Sequence, residues 1–219
     1  MGKWAQSLRL VQPLAGARKP NWLGTFLSMI ALSLAVGCSP GSRPVKFYLL
    51  QPMGKPEAHQ AVMQTPRPVL VGLGPVEIPA YLDRPQIVTG NAGAELQLAE
   101  YHRWAEPLRD TITRILAENL ALFMVDGQVL TFPWNRTISP DVQVEVKLSR
   151  FHVDATGSCE LKADWTVFKR NKPVLMKEFH TRTLAAGPDY EAKVAAQSQA
   201  LAKFSQEIVV GLTAVEGTQ

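Results

Sequence analysis

No acidic residue occurs in the first 37 positions, whereas Lys3, Arg9, Arg18 and Lys19 do. The formal net charge of +4 therefore belongs to that stretch, and residues 38–219 hold the other 19 basic side chains against all 19 acidic ones. A folded part without net charge lacks the cationic surplus from which nucleic-acid affinity comes, so DNA and RNA are not expected partners. Long apolar runs are scarce as well. The run Trp22–Val36 is broken by Gly24, Thr25, Ser28 and Ser33, and it falls short of the roughly 20 apolar residues of a spanning helix. Cysteine is nearly absent, with Cys38 and Cys159 the only two.

Recognisable site chemistry is also missing. The sequence has no HExxH, CxxC, GxSxG or P-loop pattern. Gly72-Leu73-Gly74 runs into Pro75 and lacks the third glycine of a dinucleotide-binding turn. The four histidines, His59, His102, His152 and His180, share no metal-ligand spacing. His102 and His152 read as surface or loop residues rather than ligands. The sequon-like Asn135-Arg136-Thr137 is a chance match. No catalytic residue, metal site or cofactor is expected, and nothing argues for an enzyme.

The N-terminus is informative. Residues 1–37 have the build of an export signal: a basic n-region to Asn21, an apolar h-region and the small residue Gly37. Ala35-Val36-Gly37-Cys38-Ser39 resembles the bacterial lipobox, in which the cysteine is acylated before cleavage in front of it. Cys38 is the expected lipidation site. Ala35 stands where Leu is usual, and Ala-Val-Gly would also suit an ordinary signal peptidase at the same bond. Ser39, in place of Asp, resembles lipoproteins forwarded to the outer membrane of Gram-negative bacteria. With Cys38 acylated, Cys159 has no disulfide partner and reads as a small, half-buried strand residue. A Cys38–Cys159 disulfide and a catalytic thiol are the competing accounts.

Residues 38–68 read as a lipidated cysteine and tether with a strand-like piece, Val45–Gln51, inside it. Residues 69–215 read as one domain. Strands are expected from Val69, at Gln86–Thr89 and at Ala94–Leu98. In Pro107–Val125, Leu108, Ile112, Ile115, Leu116, Leu120 and Phe123 trace one helical face. Strict alternation marks Val142–Leu148, and its phase slips to Phe151 and Val153, which predicts a bulge near Ser149-Arg150. Alternation returns at Leu161–Val167, and a third strand follows at Val174–Leu184. A second helix runs from the N-cap Asp189 to Leu212. The fold class is α/β of an α+β-like kind: a mixed β-sheet with two main helices packed on one side.

Two segments invite a functional reading. In Ile78-Pro79-Ala80-Tyr81-Leu82-Asp83-Arg84-Pro85-Gln86-Ile87-Val88, prolines impose an extended path with a tight bend. It serves either as a rigid connector or as a loop presenting Tyr81, Leu82, Asp83 and Arg84 to a partner. In Tyr101-His102-Arg103-Trp104-Ala105-Glu106-Pro107-Leu108, Trp104 either staples Leu108 or the sheet or joins Arg103 in that interface.

These two segments, with the lipobox, Phe47-Tyr48-Leu49-Leu50, Asn119-Leu120 and the alanine-rich helix from Tyr190, resemble the ABC-type transport auxiliary lipoproteins, which include the paraquat-inducible protein C group. The resemblance spans residues 34–212. It implies a non-catalytic lipoprotein of the outer membrane, on its periplasmic face, that docks the mammalian-cell-entry (MCE) component of a lipid transport system and its inner-membrane permease. It leaves a homo-oligomer open. A structural envelope lipoprotein, a periplasmic lipid-binding carrier and an enzyme acting on envelope polymers are the alternatives.

Overall fold

The computed structural model describes residues 43–54, 68–91, 94–124, 127–135 and 137–217. The leader, the Ala35–Ser39 lipobox with Cys38, and His59 lie outside the described residues. The chain divides into two compact units, Met1–Ser42 and Arg43–Gln219, and every described residue belongs to the second.

Eight strands form one mixed sheet. Its backbone is the meander of β6 (Val142–Val153), β7 (Ser158–Lys169) and β8 (Lys172–Leu184), antiparallel throughout. Alternation builds these strands: Val142, Val144, Val146, Leu148, Leu161, Ala163, Trp165 and Val167 are buried, with more polar residues between them. The expected bulge is present, as a register shift between Leu148 and Arg150. The β7–β8 turn puts Arg170 and Asn171 at φ 52° and 58°, the geometry of a two-residue hairpin that follows the strands' twist.

The other side of β6 is shared. Strand β2 (Leu70–Glu77) runs parallel to its first half, and β3 (Gln86–Gly90) meets its far end at Thr89 and Val153. Strand β5 (Gln128–Thr131) lies parallel outside β2, β4 (Leu96–Trp104) antiparallel to β3, and β1 (Lys46–Tyr48) parallel to β4. Strand β5 is not expected from the sequence, and β4 extends six residues beyond the expected Leu98.

Helix α1 (Leu108–Leu122) buries its apolar face on β2 and β5, while α2 (Tyr190–Glu216) lies across β6, β7 and β8 and touches α1. Asp189 caps α2 as expected, its Oδ1 accepting from Ala192 N at 2.8 Å. Gly211 faces the Trp165 indole, leaving no room for a Cβ. The helices thus share one face of the sheet, and Ile112, Ile115, Leu116, Leu201, Phe204 and Ile208 are fully enclosed. Burying each such side chain contributes about 1.5–3 kcal/mol.

Residues ahead of position 68 also pack on the folded unit. Tyr48 packs on the core and Leu50 is buried in it. Gln51 N donates to Ser198 Oγ of α2 at 3.0 Å, and Met53 N to Asn119 Oδ1 of α1 at 2.8 Å. Residues 45–53 thus pack on the folded unit, with the backbone donors of Gln51 and Met53 each meeting a buried acceptor on a helix.

Candidate functional site

The loop between β2 and β3 is built from within. Leu82 N donates to Pro79 O at 2.9 Å and Asp83 N to Ala80 O at 3.3 Å, closing a tight bend. Leu82 is 2% exposed and plugs the loop into the core. Asp83 receives Arg109 Nη2 of α1 at 2.5 Å. Tyr81 shares a hydrogen bond with His152 Nδ1 of β6 at 3.1 Å, ring edge against ring. The loop is thereby fixed on three sides. Trp104 N donates to Pro85 O at 2.7 Å, and Gln86 pairs with Arg103. The six residues singled out from the sequence thus come from two neighbouring stretches of chain.

Their roles differ from expectation in two cases. Leu82 and Trp104, 2% and 6% exposed, lie in the core, so neither side chain can be presented to a partner. A large apolar side chain at a tight bend is more stable in the core than in water, and Trp104 is buried in the same core cluster as Leu108. Tyr81, Arg84 and Arg103 are half-buried and Asp83 is exposed. The Nε atoms of Arg84 and Arg103 are buried without a hydrogen-bond partner among the described residues, out of reach of an acceptor from outside; only the exposed remainder of each half-buried side chain faces this surface.

Beside Tyr81 lies a group that the sequence analysis does not single out. Glu160 on β7 binds Arg150 at 2.7 Å, His180 at 2.8 Å and Arg182 at 3.3 Å. Hydrogen bonding from Arg150, joined by His180 and Arg182, holds its carboxyl down at about 2. Register assembles this cluster, since Glu160 lies opposite His152 on β6 and Arg182 on β8, and register cannot be read from local sequence. Burial raises the Tyr81 hydroxyl and lowers His152, with Arg150 pushing His152 further down. His152 and His102 are strand residues, not loop residues, and each meets a tyrosine: Tyr48 Oη lies 2.8 Å from His102 Nδ1, and His102 stacks on Tyr190 at 3.9 Å. Cys159, expected half-buried, is fully buried and free, its thiol pushed up to about 12 by desolvation. A thiol so placed is a poor nucleophile.

A groove of about 830 Å³ runs between α1 and the ends of β2 and β5. Pro75, Ile78 and Phe132 line it together with Arg109, Arg114 and Glu118, and it is open to solvent. No group of three or more metal-ligating side chains occurs among the described residues. No described helix is long and apolar enough to cross a membrane.

The family model for the ABC-type transport auxiliary lipoprotein component matches residues 48–209. No protein in the curated set matches. Among solved structures, a Xanthomonas campestris protein is similar at 19% identity and a TM-score of 0.64, over 80% of this chain and 98% of its own. A second crystal structure, of a protein described only as uncharacterized, has the same identity and TM-score, over 78% of this chain and 99% of its own. At such identity these likenesses concern the fold.

Proposed function

Since the chain belongs to the ABC-type transport auxiliary lipoprotein component family, we propose that it is a non-catalytic outer-membrane lipoprotein, acylated at Cys38, that docks the MCE component of a lipid transport system. The observation that carries the docking role is the braced loop with Arg84 and Arg103 beside it. A loop pinned by Leu82, by the Asp83–Arg109 pair and by Tyr81–His152 loses little entropy on binding. The half-buried side chains of Arg84 and Arg103 are of a residue type enriched among the anchors that dominate protein interfaces. Tyr81, Asp83, Arg84 and Arg103 are the proposed contact residues, supported from beneath by Leu82 and Trp104. The acyl chains on Cys38, more than the single chain that binds only marginally, would hold the domain at the membrane.

The test is a crosslinked pull-down of tagged protein from intact envelopes, compared with the Arg84→Glu/Arg103→Glu variant. Recovery of an MCE-domain protein and its permease, reduced severalfold in the variant, supports the reading. A catch of cell-wall or outer-membrane components alone would leave a structural envelope lipoprotein in its place.

A further inference from the structure

We propose that Arg43–Leu49 is a membrane-contact strip that seats the domain on anionic phospholipid headgroups of the bilayer holding Cys38. The inference rests on Cys38 being the acylated residue and extends it to a surface of the folded domain.

Three observations carry it. Strand β1 lies at an outer position of the sheet, with β4 as its neighbour. Around it, Val45, Phe47 and Leu49 are 38%, 64% and 37% exposed, whereas Tyr48 is half-buried and Leu50 is enclosed. Alternate residues of an extended chain point to opposite sides. The three apolar side chains therefore form one outward row, and Tyr48 and Leu50 hold the segment to the core from behind. Edge strands in water are ordinarily blunted with charge or proline; this one has Pro44 and Lys46 but also presents Phe47 at its centre.

Charge gives the second observation. Residues 43–54 contain Arg43 and Lys46 and no acid, and both cations are exposed. Apolar and aromatic side chains flanked by cations suit the interfacial zone of a bilayer, where rings sit at headgroup level and cations meet lipid phosphates.

Chain length is the third. Five peptide units separate Cys38 from Arg43, and even fully extended they span no more than about 18 Å. A bilayer with its headgroups is about 40–45 Å thick. An acylated Cys38 thus keeps Arg43, where the described domain begins, within about 18 Å of its membrane anchor, a tighter limit than chain length sets for any later residue. Immersing Val45, Phe47 and Leu49 there removes apolar area from water.

The experiment uses the full acylated chain, reconstituted into vesicles of phosphatidylethanolamine and phosphatidylglycerol. One sample carries an environment-sensitive fluorophore on Phe47→Cys, and a control carries it on Met176→Cys, an exposed site on β8. Buried Cys159 does not compete for label in the folded protein. The expected result is a blue-shifted emission at position 47, quenched severalfold more by spin-labelled lipid than the emission at 176. Replacing phosphatidylglycerol by phosphatidylcholine should reduce the difference. Equal, water-like emission at both sites, with the protein still in the vesicle fraction, would overturn the strip and leave Cys38 acylation standing. Protein that stays out of the vesicle fraction, as Cys38→Ser is expected to do, would overturn both. Emission at 47 that shifts only when an envelope protein is added would make the strip a protein interface and overturn the membrane assignment.

Discussion

Asn119 joins three parts of the molecule through one buried amide. Its Oδ1 accepts from Met53 N and its Nδ2 donates to Ser205 Oγ at 3.1 Å, with no exposed surface. Asn119→Ala leaves the part-buried Met53 N–H and the buried Ser205 hydroxyl without their partner, a cost of about 1–3 kcal/mol. Urea unfolding should show that loss, and hydrogen exchange at Met53 should rise well above exchange in the β6–β7 core. Cys159 predicts a different readout. With its thiol pushed up to about 12 inside the core, it should resist maleimide in the folded protein and react once the chain is unfolded. The ionisable groups beside Tyr81 set a pH dependence. Glu160 titrates at about 2 in the fold against an ordinary 4.5, so its contribution is complete above about pH 4.5 and disappears as the pH falls towards 2. Glu160→Gln should therefore be less stable than the parent at pH 6, with the gap closing in acid melts. His152 is also shifted down, so the neutral ring that bonds Tyr81 is favoured in the fold. Its contribution is present above about pH 6.5 and is lost as the pH falls through the lowered value, which loosens the loop from the β6 side.

At the level of elements, helix α2 meets the sheet at a glycine. A Cβ on Gly211 would collide with the Trp165 indole and crowd Leu175. Gly211→Ala gains about 1 kcal/mol of helix propensity but overpacks the contact at about 1–3 kcal/mol. The expected outcome is a lower Tm with unchanged helix content, checked by circular dichroism melts. The elements legible in the sequence are those whose partners are close in the chain. The β6–β7–β8 meander, its bulge and both amphipathic helices all follow from local period, because burial of one face imposes that period directly. Strand β5 is four residues long, between a helix and Pro133, too short to show alternation. Strand β1 passes for tether because its membership depends on β4, more than 50 residues away. Residues 101–104 read as a run-in to the helix since Tyr, His, Arg and Trp do not alternate in polarity. The same limit applies to the site: the Tyr81–Arg84 bend is visible in its prolines, but the inward turn of Leu82 and Trp104 and the cations around Glu160 depend on cross-strand packing.

For the molecule as a whole, the length of the tether matters most. A tether ending at residue 68 would let the domain range over several tens of ångströms; one ending at Arg43 would hold it within about 18 Å of Cys38, the proposed acylation site. On the proposed acylation of Cys38, a short connection would restrict the orientations from which the braced loop meets a partner and raise its effective concentration. Inserting a flexible Gly/Ser segment of about 20 residues between Ser42 and Arg43 adds a mean reach of roughly 25 Å, without altering a described contact. The lengthened protein should partition into membranes and unfold as the parent does. Its crosslinking yield to the MCE component should fall severalfold, because the loop then samples a larger volume. Undiminished crosslinking would show that the partner finds the loop without help from the membrane, and that the short connection is not what orients it.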